Sequence, residues 1–109
     1  MLGKRRGEAA LFKEAHRILD NQATGMRRTV AEYGEHLNSY EMLGVKGILR
    51  TCDRLLKKQS LFDLVRHGRS GKTEEIMRAS ADMVGIDFYL KMLIQKRIEE
   101  KGSGGADTG

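Results

Sequence analysis

The chain has 109 residues, a length that suits one domain, with a formal charge of +5 from 20 Lys and Arg against 15 Asp and Glu. It contains no proline and a single cysteine, which excludes an internal disulfide, and no apolar run approaches the ~20 residues of a membrane span. Long apolar patterns without proline predict an all-α protein. A lone thiol suits a reducing compartment, so we expect an unprocessed, cytoplasmic protein.

The N-terminal residues 1–7 are predicted to form a flexible basic arm, which carries Lys4, Arg5 and Arg6. A long first helix is predicted over residues 8–37, because its apolar and weakly polar positions follow spacings of three and four. These positions are Leu11, Ala15, Ile18, Gln22, Met26, Thr29, Tyr33 and Leu37. Arg27 and Arg28 lie on the outer edges of this helix.

Asn38 and Glu41 have the spacing of a capping box, which predicts the start of a second helix. Its apolar positions form one face: Val45, Ile48, Leu49, Cys52, Leu55 and Leu56. Cys52 therefore reads as a buried, inert thiol. Gly44 and Gly47 are expected to let a neighbour approach closely. Beyond them, Ser60 is predicted to cap a short helix over residues 61–67.

Residues 68–73 read as a loop that ends at Thr73, the predicted N-cap of a third helix. Gly71, Lys72 and Thr73 match the end of a P-loop, but position 66 is Arg where the motif needs glycine. The basic residues around this loop instead indicate weak contact with phosphate groups. They are Arg66, His67, Arg69 and Lys72.

The third helix, residues 73–101, is apolar around much of its circumference. One face carries Ile76, Ala79, Met83, Ile86, Leu90, Leu93, Ile94 and Ile98. A second apolar surface follows Met77, Val84, Phe88 and Met92, together with Ala81. Such a helix must be covered on two sides, as the central helix of a small bundle or as a helix shared with another chain. We expect a homodimer, an exchange of helices between chains, or a larger partner. The glycine-rich residues 102–109 are predicted to be disordered.

Two features of the third helix leave alternatives open. Ala81 and Gly85 have the spacing of a helix-turn-helix elbow, although the apolar phase continues across Gly85 as in one unbroken helix. Asp87 falls within the apolar stripe, so its carboxylate needs a partner. We expect an ion pair with an Arg or Lys of another helix rather than a catalytic acid.

These patterns predict a three-helix antiparallel bundle with one long N-terminal helix. No metal-ligand spacing or catalytic motif is complete, so we expect no cofactor, no metal and no enzymatic activity. The favoured function is non-catalytic binding to the backbone of duplex nucleic acid. It would use Lys4, Arg5, Arg6, Arg27, Arg28, Arg66, Arg69 and Lys72. A helical adaptor that binds a partner protein through its C-terminal helix is the alternative, and a small all-α enzyme is a third.

Overall fold

The computed structural model describes residues 2–57 and 69–108. It contains three long helices, α1 (Leu2–Tyr33), α2 (Ser39–Leu56) and α3 (Arg69–Thr108), with a 3-10 turn at Gly34–His36 after α1. No strand occurs in these two ranges, so the predicted all-α fold is confirmed. The short helix predicted over residues 61–67 lies outside the described residues.

The three helices run up, down and up. His16 Nε2 hydrogen-bonds to the Leu56 carbonyl oxygen, so the middle of α1 lies beside the end of α2. Gln22 bonds to Ser80, and further along Arg97 bonds to His36, so α3 runs in the same direction as α1. Each helix is therefore antiparallel to the one before it, as the sequence predicts. The longest helix is α3, with 40 residues, rather than the N-terminal one.

The core lies between α1 and α3, with α2 packed along one side. The predicted apolar face of α1 is confirmed at Ala15 and Met26, which are buried, and wrong at Ile18, which is 37% exposed. Leu19 and Ala23, which the prediction left out, are fully buried. Leu11, also predicted to face inward, is half exposed. Ala15 and Ala23 are small, and this lets α3 pack closely against the face they occupy.

The helix boundaries also differ from the prediction. Helix α1 begins at Leu2, so residues 2–7 are helical, and α3 continues past Lys101 to Thr108. No proline interrupts either end, and the backbone hydrogen bonds continue although each glycine costs ~1 kcal/mol relative to alanine. Thr73 is not an N-cap but a buried residue inside α3, because the helix begins four residues earlier.

The break between α1 and α2 follows from local chemistry. The Asn38 side chain accepts a hydrogen bond from the Glu41 backbone N–H at 2.9 Å, and the Asn38 N–H donates to Glu41 Oε1 at 2.8 Å. This confirms the predicted capping box. Behind the cap, Val45, Cys52 and Leu55 are buried as predicted. Burial raises the pKa of the Cys52 thiol.

The molecule is a rod of about 70 × 23 × 16 Å. Its radius of gyration is 18.4 Å, against ~13 Å for a compact domain of about this length. In the part of the chain that the structure describes, no helix has the length and hydropathy needed to cross a membrane.

Candidate association surface

Helix α3 runs unbroken through Gly85, so the helix-turn-helix alternative is wrong and the predicted continuous helix is confirmed. One face is built into the core, where Ile76, Met83, Leu90 and Ile94 are each at most 5% exposed. Ala79 and Ile86 pack against the same core, whereas the exposed apolar side chains of α3 lie outside it.

A second line of apolar residues lies on the outside of α3, about 130° around the helix from the core face. We call this line the exposed strip, and it comprises Met77, Ala81, Val84, Phe88 and Met92. Its large members are exposed to 48% at Met77, 62% at Val84, 66% at Phe88 and 58% at Met92. A Cβ added at Gly85, beside the strip, would meet nothing within 4 Å. The four residues predicted to form an oligomer interface therefore lie together on open surface.

Charged residues border the exposed strip. Glu74 lies one turn before Met77 and pairs with Arg78 at 3.5 Å, and both side chains are about three-quarters exposed. Lys91 lies one turn after Phe88 and pairs with Asp87 at 2.8 Å. Asp87 is therefore paired as predicted, but its partner belongs to its own helix and not to another one. At 35% exposure the Asp87 carboxylate lies at the edge of the core, where Lys91 reaches it.

A polar contact between α3 and the start of α2 was not predicted from the sequence. Arg97 donates through Nη2 to Glu41 Oε2 at 2.9 Å and through Nη1 to Glu41 Oε1, so the pair is bidentate. Nη1 also donates to the His36 carbonyl oxygen at 2.7 Å. Arg97 lies far along the chain from both partners, so the spacing of residues within α3 cannot predict these contacts.

This contact changes the chemistry of Glu41. The hydrogen bond from Arg97 lowers the pKa of the Glu41 carboxyl group, and the backbone N–H of Asn38 lowers that pKa further. Both interactions favour the charged form. One side chain thus caps α2 and binds α3, which fixes the end of the bundle nearest the C-terminal part of the exposed strip.

The residues predicted to bind nucleic acid are spread along the rod. Arg27 forms an ion pair with Asp53 across α1 and α2, whereas Arg28 is exposed. Lys4, Arg5 and Arg6 belong to the first turns of α1, about 30 Å along the helix from Arg27 and Arg28. Arg69 and Lys72 belong to the first turn of α3, and Arg66 lies outside the described residues.

The segment that resembles the end of a P-loop is helical in the structure. Gly71, Lys72 and Thr73 lie within α3, and the Thr73 side chain is buried. The complete motif needs a glycine at position 66, where this chain has Arg, so these three residues match only its end.

A shallow open cleft of about 460 Å³ lies at the start of α2. Its lining residues are Leu37, Asn38, Ser39, Met42, Leu43 and Lys46. Leu43 is 66% exposed, and neighbouring Tyr40 is 86% exposed. Gly44 and Gly47 have nothing within 4 Å of an added Cβ, so the close neighbour predicted for them is not another part of the described chain.

No protein-family model matches this chain, no curated protein matches it, and no solved structure matches it.

Proposed function

We propose that this protein acts by binding another protein chain through the exposed strip of α3, without catalysing a reaction. The observation that carries the proposal is the alignment of Met77, Val84, Phe88 and Met92 on a helix whose opposite face is already buried. Singly exposed apolar residues are normal on protein surfaces, whereas a contiguous apolar line is typical of interaction sites.

The chemistry of the exposed strip suits the apolar face of a partner helix. Phe88 supplies a large rigid ring, and Met77 and Met92 supply flexible, polarisable side chains that adapt to a neighbouring surface. The charges of Glu74 and Lys91 lie at its ends, where they stay hydrated in the way that the rim of an interface does.

Methionine oxidation tests whether a partner covers the strip. Met77 and Met92 are exposed, whereas Met26 and Met83 are buried and serve as controls within the same chain. We expect peroxide to oxidise Met77 and Met92 several-fold more slowly in extracts of the cells that make the protein than in the dilute purified chain. The readout is the sulfoxide fraction of each peptide by mass spectrometry.

The matched control for this measurement is Phe88→Glu, which introduces a charge into the strip and leaves every methionine in place. In that variant Met77 and Met92 should oxidise at the same rate in extract and in dilute solution. Equal rates for the unmodified chain in both settings would contradict the proposal.

Binding to duplex nucleic acid is a second candidate function. The formal charge of +5 supports it, because each phosphate contact by Lys or Arg releases counterions. Arg27 is less suited to such a contact, since Asp53 already neutralises it. Salt dependence separates this candidate from association through an apolar strip, because binding to phosphate weakens steeply with salt whereas apolar contact does not.

A further inference from the structure

Four residues of the exposed strip and the two bordering charges form one regular series on α3, and Met92 lies beside its last member. Glu74, Met77, Ala81, Val84, Phe88 and Lys91 are separated alternately by three and four residues. All of them are exposed. This is the spacing of the a and d positions in a coiled coil, where each residue packs into a layer with one residue of a facing helix.

We infer that the occupant of the exposed strip is a second copy of the same α3, packed antiparallel to the first. This inference rests on the proposed function and names its partner. In an antiparallel pair with two-fold symmetry every contact occurs twice. If a residue of one chain faces a second residue of the partner, then that second residue in the first chain faces the first residue of the partner. The series on one α3 can therefore be aligned with the same series on the partner's α3, read in the opposite direction.

In this reversed match every layer is chemically compatible. Met77 faces the partner's Phe88, and Ala81 faces the partner's Val84, so the two smallest side chains meet at the centre and let the helices approach closely. Beyond the apolar layers, Glu74 faces the partner's Lys91. Symmetry repeats each pair, so both ends of the interface join opposite charges.

A parallel pair would have the opposite electrostatics. Two parallel helices in register place each residue against its own copy, so Glu74 would face the partner's Glu74 and Lys91 the partner's Lys91. Both ends would then bring like charges together, which is destabilising. The two end charges therefore select the antiparallel direction.

The rod exposes more surface than a compact monomer of its mass. The chain exposes 8201 Å², against about 6,100 Å² for a compact monomer of 12.3 kDa. The exposed strip is part of this additional surface.

The experiment combines sedimentation with disulfide mapping in the full chain. We expect the unmodified protein to sediment as a dimer at tens of micromolar. Two single variants, Glu74→Cys and Lys91→Cys, are then oxidised separately and as a mixture. The native Cys52 is only 1% exposed and stays out of reach.

The antiparallel dimer predicts a disulfide between residues 74 and 91 in the mixture only. In each variant alone the two new thiols lie about 25 Å apart along the axis, far beyond disulfide reach. A parallel dimer gives the reverse result, with links between residues 74 or between residues 91 in the separate samples. That result, or a dimer whose mixture forms no link, overturns the inference.

Failure of this inference and failure of the proposed function give different results. If the purified chain is monomeric while Met77 and Met92 are shielded in cell extract, the second copy is refuted and a different protein partner is supported. If the purified chain is monomeric and both methionines oxidise freely in extract, both proposals fail.

Discussion

One side chain, that of Glu41, joins two helices of this bundle. Glu41 closes the capping box of α2 and also receives the two hydrogen bonds of Arg97 from α3. These contacts are strongest while Glu41 is ionised, because a protonated carboxyl group loses its charge and one of its acceptor sites. The stability of the bundle should therefore depend on pH through this residue.

We expect the protein to lose stability on acidification through Glu41. Its pKa is lowered in the folded state from an ordinary value of 4.5, so its contribution is complete above that value and is lost as pH falls through the folded pKa. Melting temperatures between about pH 6 and pH 3 should fall more steeply for the wild type than for Glu41→Gln. The exposed Glu32→Gln serves as the control and should follow the wild-type curve.

Asp87 makes a weaker contribution than its position on the helical wheel indicates. A buried carboxylate that loses its partner costs about 3–5 kcal/mol, but Asp87 is partly exposed and pairs with Lys91 on its own helix. Asp87→Ala should therefore lower the free energy of unfolding by only about 0.3–0.5 kcal/mol, as for other exposed pairs at this spacing. Urea unfolding measures this difference, and a loss of several kcal/mol would show a buried pair.

At the scale of helices, α1 and α3 are aligned by a reciprocal pair of hydrogen bonds. Gln22 Nε2 donates to the Ser80 carbonyl oxygen at 3.1 Å, and Ser80 Oγ donates to Gln22 Oε1 at 2.7 Å. Both hydrogen bonds are partly buried. An amide in this position specifies which turn of α1 faces which turn of α3.

Removing this amide should destabilise the bundle. Gln22→Ala leaves Ser80 without its side-chain partner, at a cost of about 1–2 kcal/mol in the free energy of unfolding. Gln95→Ala is a matched control, because Gln95 is exposed and bonds to Glu99 within its own helix, α3. Its unfolding free energy should change by no more than about 0.5 kcal/mol. Equal effects of the two substitutions would show that Gln22 does not align the helices.

At the scale of the whole molecule, the two proposed functions, protein association and nucleic-acid binding, would use different parts of the surface. The apolar strip occupies the outer side of α3, and many of the basic residues lie at the ends and edges of the helices. Association through the strip is apolar, whereas binding to nucleic acid is electrostatic. Substitutions can therefore remove one of these interactions and leave the other.

Phe88→Glu should abolish self-association and leave the fold intact. Phe88 occupies two of the four apolar layers of the proposed dimer, and its ring contributes about 1.5–3 kcal/mol in each, so the dissociation constant should rise well over tenfold. Sedimentation equilibrium measures the constant, and circular dichroism measures helicity. The control Tyr40→Glu places the same charge at a residue that is 86% exposed on α2, and should stay dimeric.

Binding to duplex nucleic acid, if it occurs, should be weak and independent of sequence. The triple variant Arg66→Glu, Arg69→Glu and Lys72→Glu should weaken binding to all duplexes alike and make the log–log salt slope less negative by about 3. The same charge change at the exposed Lys46, Arg50 and Arg54 of α2 is the control, and should leave that slope unchanged. Fluorescence titration at several salt concentrations measures both. An affinity that does not change with salt concentration would exclude contact with phosphate groups.

The sequence by itself determined the features that depend on near neighbours in the chain. The all-α class, the capping box of Asn38 and Glu41, the buried face of α2 and the unbroken α3 with two apolar faces all follow from spacings of three and four residues. Hydrogen bonds and side-chain neighbours within a helix repeat at these spacings, so a local pattern is sufficient to predict them. The outward position of Met77, Val84, Phe88 and Met92 was predictable for the same reason.

Only the tertiary structure decided how the helices face one another. The burial of Leu19 instead of Ile18 and the pairing of Arg97 with Glu41 depend on how each helix is rotated and shifted against the others. Asp87 pairs with Lys91 of its own helix because its carboxylate lies at the edge of the core, where the Lys91 side chain reaches it. Residues that are 56 positions apart share no periodicity, so their contact is set by the packing of the core, where small residues such as Ala23 admit a neighbouring helix and larger ones do not.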